Sequence, residues 1–165
     1  MRLYGITPES IVDGPGIRYV IFAQGCFHHC PFCHNPASWD SGAGDEFSVK
    51  QIIRFLKKQK KTIQGITFSG GEPFLQAGEF AEIALAAHKI GLDVVTYSGY
   101  TYEELIESGN NNIDIKTLLS ATDILIDGKY IHELRSAGLQ FRGSSNQRMI
   151  NMKETDKKGE IVLYT

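Results

Sequence analysis

An α/β fold organised around a parallel β-sheet is predicted by three features of the 165-residue sequence. Short β-rich runs alternate with helix-length amphipathic segments, the signature of βαβ units. The residues with chemical potential collect directly after the β-rich runs, at the strand ends where parallel sheets carry their sites. An apolar share of 42% and a charged share of 22% match one globular core, so residues 1–165 are expected to form a single domain.

The elements follow in order. "GIRYVIF" (16–22) is the first strand, and it runs into the loop "GCFHHCPFCHNPASW" (25–39). "EFSVKQIIRFLKKQKK" (46–61) predicts a helix capped by Ser48, with Val49, Ile52, Ile53 and Leu56 at helical spacing. Lys57, Lys58, Lys60 and Lys61 at its end read as a solvated face that complements the helix dipole. "GITFSGG" (65–71) is the second strand, and "QAGEFAEIALAAHKIGLD" (76–93) a helix on which His88 reads as a surface or packed residue. "DVVTYSG" (93–99) is the third strand, followed by helices in "TYEELIES" (101–108) and "IDIKTLLSAT" (113–122). "DILIDGKY" (123–130) is the fourth strand. "FRGSSNQR" (141–148) reads as a polar loop, and residues 149–165 as a terminal β-hairpin turning near Lys158 and Gly159.

Several function classes are excluded or unsupported. A net charge of −2 supplies no global basic field for nucleic acid. No apolar run reaches the roughly 18 residues of a membrane span, and "MRLYGITPES" lacks the apolar region of a secretion signal. A cytoplasmic location is therefore expected. "DGPG" lacks the spacing of a dinucleotide fingerprint and precedes a strand.

All three cysteines, Cys26, Cys30 and Cys33, fall within eight positions. A Cys30–Cys33 disulfide would leave Cys26 unexplained, and clustered thiols in a reducing compartment more often bind metal or do redox chemistry. Zinc is one option, with His28, His29 or His34 as a fourth ligand. A 4Fe-4S cluster is the other. With no fourth cysteine in the chain, it would keep one iron open, and an open position is what separates a reactive metal centre from a structural one.

The spacing C-x3-C-x-aromatic-C, with Phe32 in the aromatic slot, resembles the signature of radical S-adenosylmethionine enzymes, and "SGGEP" (69–73) resembles their second motif. "DGPGIR" (13–18) and "CHNPASW" (33–39) are similar to segments of the activating enzymes of glycyl-radical proteins. "FRGSSNQR" looks most like the branch that serves the anaerobic ribonucleoside-triphosphate reductase.

The resemblance implies a partial, incomplete β/α barrel, because the chain is too short for a full set of strands. It implies Cys26, Cys30 and Cys33 as ligands of a 4Fe-4S cluster whose open iron takes S-adenosylmethionine. One-electron cleavage of that cofactor gives a 5′-deoxyadenosyl radical, which would install a glycyl radical on the partner reductase; the alternative is the same chemistry on another glycyl-radical enzyme or a small molecule. A small flavodoxin- or ferredoxin-like protein is the expected electron donor. No general base is expected, because the step is hydrogen-atom abstraction. Phe32 would lie against the cofactor, Gly70 and Gly71 would let backbone approach it, and Glu72 would sit near its ammonium group. Asp127 and Lys129 would meet its hydroxyls and carboxylate, with Ser98 and Asn35 as further contacts. Asp13, Gly14, Pro15 and Gly16 make a tight turn that the resemblance puts near the partner face.

Overall fold

A computed structural model describes all residues from Met1 to Thr165. Strand β1 (Arg2–Ser10) leads into β2 (Arg18–Ala23), and the two-residue β3 (Asp45–Glu46) precedes helix α1 (Val49–Gln59). Then come β4 (Gly65–Gly70), α2 (Ala77–Lys89), β5 (Asp93–Tyr97), α3 (Tyr102–Gly109), α4 (Ile113–Ser120) and β6 (Ile124–Asp127). The chain ends with β7 (Arg148–Asn151) and α5 (Met152–Lys158).

The seven strands form one sheet in the order β3-β1-β2-β4-β5-β6-β7. The four strands expected from the sequence are its central parallel quartet, with Val20 opposite Thr67, Thr67 opposite Val95 and Thr96 opposite Leu125. Antiparallel strands flank it on both sides. The sheet is thus mixed and open, with β3 and β7 at its edges. The expected terminal hairpin is corrected: Met152–Lys158 is helical, capped by Asn151 on the Glu154 N–H. Gly159, at φ 70°, ends that helix in the left-handed conformation that glycine tolerates. The returning tail then bridges back, with the Tyr164 N–H donating to Met149 O at 2.8 Å and Leu163 opposite Ile150. The reversal lies at the expected residues, but one arm is a helix.

Alternation along the strands divides the residues between two faces. Tyr19, Ile21, Ile66, Phe68 and Val94 join Ile52, Leu56, Phe80, Ile83, Leu105 and Leu118 from the helices in a cluster of 25 buried residues. Ser48 caps α1 through a reciprocal box with Gln51, and the four lysines at its far end are exposed. No helix is long and apolar enough to cross a membrane.

The opposite face of the sheet carries Arg18, Phe22, Thr67, Ser69, Val95 and Tyr97. Its lower part is closed by the 13–16 turn. Gly14 packs where a side chain would meet Val95 and Thr67, and a Cβ on Gly16 would overlap the Gln64 side chain. Arg18, with no exposed surface, ties this turn down. It donates to Pro15 O, Ile66 O, Thr67 Oγ1 and the Asp93 carboxylate. Above the turn, the same face opens into a cavity.

Candidate functional site

The cavity has a volume of about 560 Å³ and sits at the carboxyl ends of β2, β4, β5 and β6. Its walls come from the loops that follow those strands. Cys26, Cys30, Cys33 and Asn35 come from the first loop, Gly70 and Gly71 from the second, Ser98 and Gly99 from the third, and Gly128 and Tyr130 from the fourth. Phe141, Arg142, Gly143 and Gln147 complete the rim, and Asp13 forms part of the floor.

The cysteine loop leaves β2 under tight backbone control. Gly25 N donates to Ser38 O at 2.7 Å and Cys26 N to Trp39 O at 3.1 Å. His29 and Phe32 lie at φ 46° and 60°, a left-handed conformation that is strained for residues with bulky side chains. Burial raises the Cys26 thiol above its ordinary value, opposed by the backbone N–H of His28. Burial raises the Cys30 thiol too, opposed by the backbone N–H of Tyr130. Both thiols are free, and a metal would take them as thiolates.

The second loop shows why it needs two glycines. A Cβ on Gly71 would lie 2.3 Å from Gly25 O, and one on Gly70 would lie 2.7 Å from Ala23 N. These glycines let β4 exit against the backbone leaving β2. Both line the cavity, but the space each missing side chain vacates is filled by protein backbone.

Glu72 is 1% exposed and does not line the cavity. Its carboxylate accepts from Ser98 Oγ at 3.0 Å, Gly99 N at 2.9 Å, Phe74 N at 3.1 Å and pairs with His28 Nε2 at 2.7 Å. It joins the cysteine loop to the loop after β5. The carboxylate is therefore occupied within the protein, while the expectation was a carboxylate or carbonyl of Glu72 near a ligand's ammonium group.

Other expected contacts are distributed unevenly. Asn35, Ser98 and Asp13 line the cavity. Phe32 does not: it is 70% exposed and stacks on His132 with ring centroids 4.3 Å apart. Asp127, buried at the end of β6, is bound to Tyr102 N at 2.7 Å and to the Arg148 guanidinium. Lys129 is exposed, and its charge is felt by the Cys30 thiol. Gly14 is buried and Gly16 exposed at the base.

Arg148 also pairs with Glu103, whose carboxyl it holds below the usual carboxylate range. Arg148→Met leaves Asp127 a buried charge with one donor, and we expect a stability loss of about 3 kcal/mol in urea unfolding. The Glu103 contribution is present above the unfolded carboxyl pKa and lost as pH falls through its lowered folded value. Being exposed and screened, it is below about 1 kcal/mol. Acid titration of stability should therefore be slightly flatter in the variant.

Three residues of the site were not singled out in the sequence. Tyr97 lines the cavity and donates from its hydroxyl to Phe141 O at 2.6 Å; burial pushes its phenol well above the usual range. Gln147 accepts from Gly143 N and Ser144 N and donates to Gly128 O, which holds the 141–147 loop over the β6 exit. Arg142 lines the cavity with a buried Nε–H that has no partner in the protein. Strand alternation offers a signal for Tyr97, two residues beyond inward-facing Val95. The other two depend on contacts that sequence spacing does not encode.

The donor set bears on the two metal options. A zinc ion needs four donors converging at about 2.0–2.3 Å, and no group of three His, Cys, Asp or Glu side chains is placed to hold one ion. His28 is engaged by Glu72 and His29 stacks on Trp39 at 4.5 Å between centroids, while His34 lines the cavity with the three cysteines. Three cysteines on one cavity fit a multi-iron group, and the orphaned Arg142 Nε–H would supply a donor for an anionic ligand in the same cavity.

Comparison with known proteins agrees with that donor set. Residues 12–150 match the family described as "4Fe-4S single cluster domain". The anaerobic ribonucleoside-triphosphate reductase-activating protein of Salmonella typhimurium (strain LT2) is 34% identical over 155 residues, covering 89% of this chain and 96% of that protein. The protein of the same name from Enterobacteria phage T4 is 35% identical over 153 residues, covering 87% and 90%. A pyruvate formate-lyase-activating enzyme from Clostridium pasteurianum is 36% identical over 114 residues, 64% of this chain and 48% of that enzyme. A 4Fe-4S family match over residues 12–150, together with relatives that match almost end to end, settles the affiliation: the chain belongs to the family of anaerobic ribonucleoside-triphosphate reductase-activating proteins.

Proposed function

We infer that this protein is an activase that installs a glycyl radical on an anaerobic ribonucleoside-triphosphate reductase, with a 4Fe-4S cluster on Cys26, Cys30 and Cys33 and S-adenosylmethionine in the adjoining cavity. The observation that carries the reading is the set of three cysteines opening onto one cavity in a chain with no fourth cysteine. When bound, the cluster and S-adenosylmethionine supply one-electron chemistry that ends in removal of a hydrogen atom from glycine.

The chain's own residues bind and orient. Arg142, with its free Nε–H, meets the carboxylate of the cofactor, while Ser98, Asn35 and the Gly70–Gly71 backbone shape the wall beside it. Glu72 positions the loops through its internal hydrogen bonds. Asp127 holds the end of β6 through Arg148, and Phe32 lies exposed against His132. The open sheet acts as an incomplete barrel. Its unclosed side admits the partner's glycine-bearing loop, and Ile11 and Val12, 74% and 71% exposed, offer the partner an apolar surface next to the 13–16 turn. A small flavodoxin- or ferredoxin-like protein in the cytoplasm delivers the electron.

Anaerobic reconstitution with iron and sulfide tests the cofactor part. The expected product carries about four irons per chain and releases 5′-deoxyadenosine from S-adenosylmethionine after reduction. A colourless chain that binds one zinc and cleaves nothing overturns the reading.

A further inference from the structure

Between Cys26 and Cys30, where His29 stacks on Trp39, the cysteine loop has few hydrogen bonds to the rest of the protein. Phe27, His28 and His29 make no backbone–backbone hydrogen bond to it, and His29 is in the strained left-handed conformation. One side-chain hydrogen bond ties this segment down: His28 Nε2 to Glu72 Oε2, at 2.7 Å. The His28 side chain is 7% exposed, although Phe27 before it is 71% exposed.

The surroundings are built for that imidazole. Its ring meets Tyr100 edge-on, with centroids 4.4 Å apart. Gly99 leaves room for it, since a Cβ there would lie 2.4 Å from His28 Cδ2. Glu72 is itself held by Ser98, Gly99 and Phe74, so the acceptor cannot follow a loop that drifts.

We propose that His28 is a positioning residue, resting on the iron–sulfur reading above: through Glu72 it fixes the Cys26–Cys30 segment and so sets the position of two of the three thiols. Outer contacts of this kind are typically worth about 10–100-fold in metal retention. The ring lines the cavity beside the cysteines, but its Nε2 is engaged by the Glu72 carboxylate, so the role is separate from ligation.

The test compares reconstituted wild type, His28→Phe and His28→Gln. Phenylalanine keeps a ring against Tyr100 and loses the hydrogen bond; glutamine keeps a donor. All three are read by far-ultraviolet circular dichroism, iron content and rate of iron loss to a chelator. His28→Phe should keep the wild-type dichroism and lose iron about 10-fold faster. His28→Gln should recover most of the retention. Wild-type iron loss in His28→Phe would overturn the proposal, as would a His28→Gln protein with native dichroism and a defect equal to that of His28→Phe. If the wild type itself binds no iron–sulfur cluster, the underlying reading fails and takes this proposal with it.

Discussion

Cys26→Ala and Cys33→Ala should each yield a folded protein that holds little iron and lacks activase function, if the proposed ligand set is correct. Both residues lie in the loop after β2, outside the 25-residue core, so native circular dichroism is expected. Changes outside the ligand sphere already cost about 10–100-fold in metal affinity or activity. On the proposed ligand set, removing a thiolate would leave two ligands for the whole group, and the loss should exceed about 100-fold in deoxyadenosine formation. Iron analysis after reconstitution checks the first half and a timed assay the second. A Cys33→Ala protein with full iron content would remove that residue from the ligand set.

Gly71→Ala should be the most damaging single-methyl addition in the site. Its Cβ would lie 2.3 Å from Gly25 O and 2.9 Å from Gly25 C, both backbone atoms that no rotamer change can move. The neighbouring hydrogen bonds, Gly71 N to Ala23 O and Glu72 N to Gly25 O, are both 2.8 Å and resist opening. Overpacking of rigid neighbours costs about 1–3 kcal/mol, and this contact lies at the upper end. A fall in Tm of roughly 6–12 °C follows for a chain of this size. Displacing Glu72 also loosens its hold on His28, so cluster retention should fall with stability. Gly138→Ala is the control: nothing lies within 4 Å of its added methyl group, and its Tm should match wild type within about 2 °C.

The parallel quartet and the helices between its strands were legible because burial on one face writes a period into the sequence. Val49, Ile52 and Leu56 behind the Ser48 cap announce α1 this way. β1 escaped notice because Gly5 and Pro8 interrupt its alternation, and its pairing with β2 is irregular at two places. The end of the chain misled for a different reason. A glycine after two lysines signals a hairpin turn and a helix C-cap equally well, and α5 has only seven residues.

In the site, the cysteines were legible because their spacing is local. The function of Glu72 was not. Its partners His28 and Ser98 lie 44 and 26 positions away, and only the fold brings them together. Asp127 likewise finds Arg148 at 21 positions' separation. The Arg18 of "DGPGIR" proves to be the buried clasp of that turn, through contacts with β4 and β5 that the motif does not contain.

The central claim is tested most directly by electron paramagnetic resonance on an anaerobic ribonucleoside-triphosphate reductase incubated with the reconstituted protein, S-adenosylmethionine and a one-electron reductant. A glycyl-radical doublet on the reductase, with 5′-deoxyadenosine formed in step with it and neither seen with Cys26→Ala, is the predicted result. Deoxyadenosine from a fully loaded protein without any doublet on the reductase would contradict it.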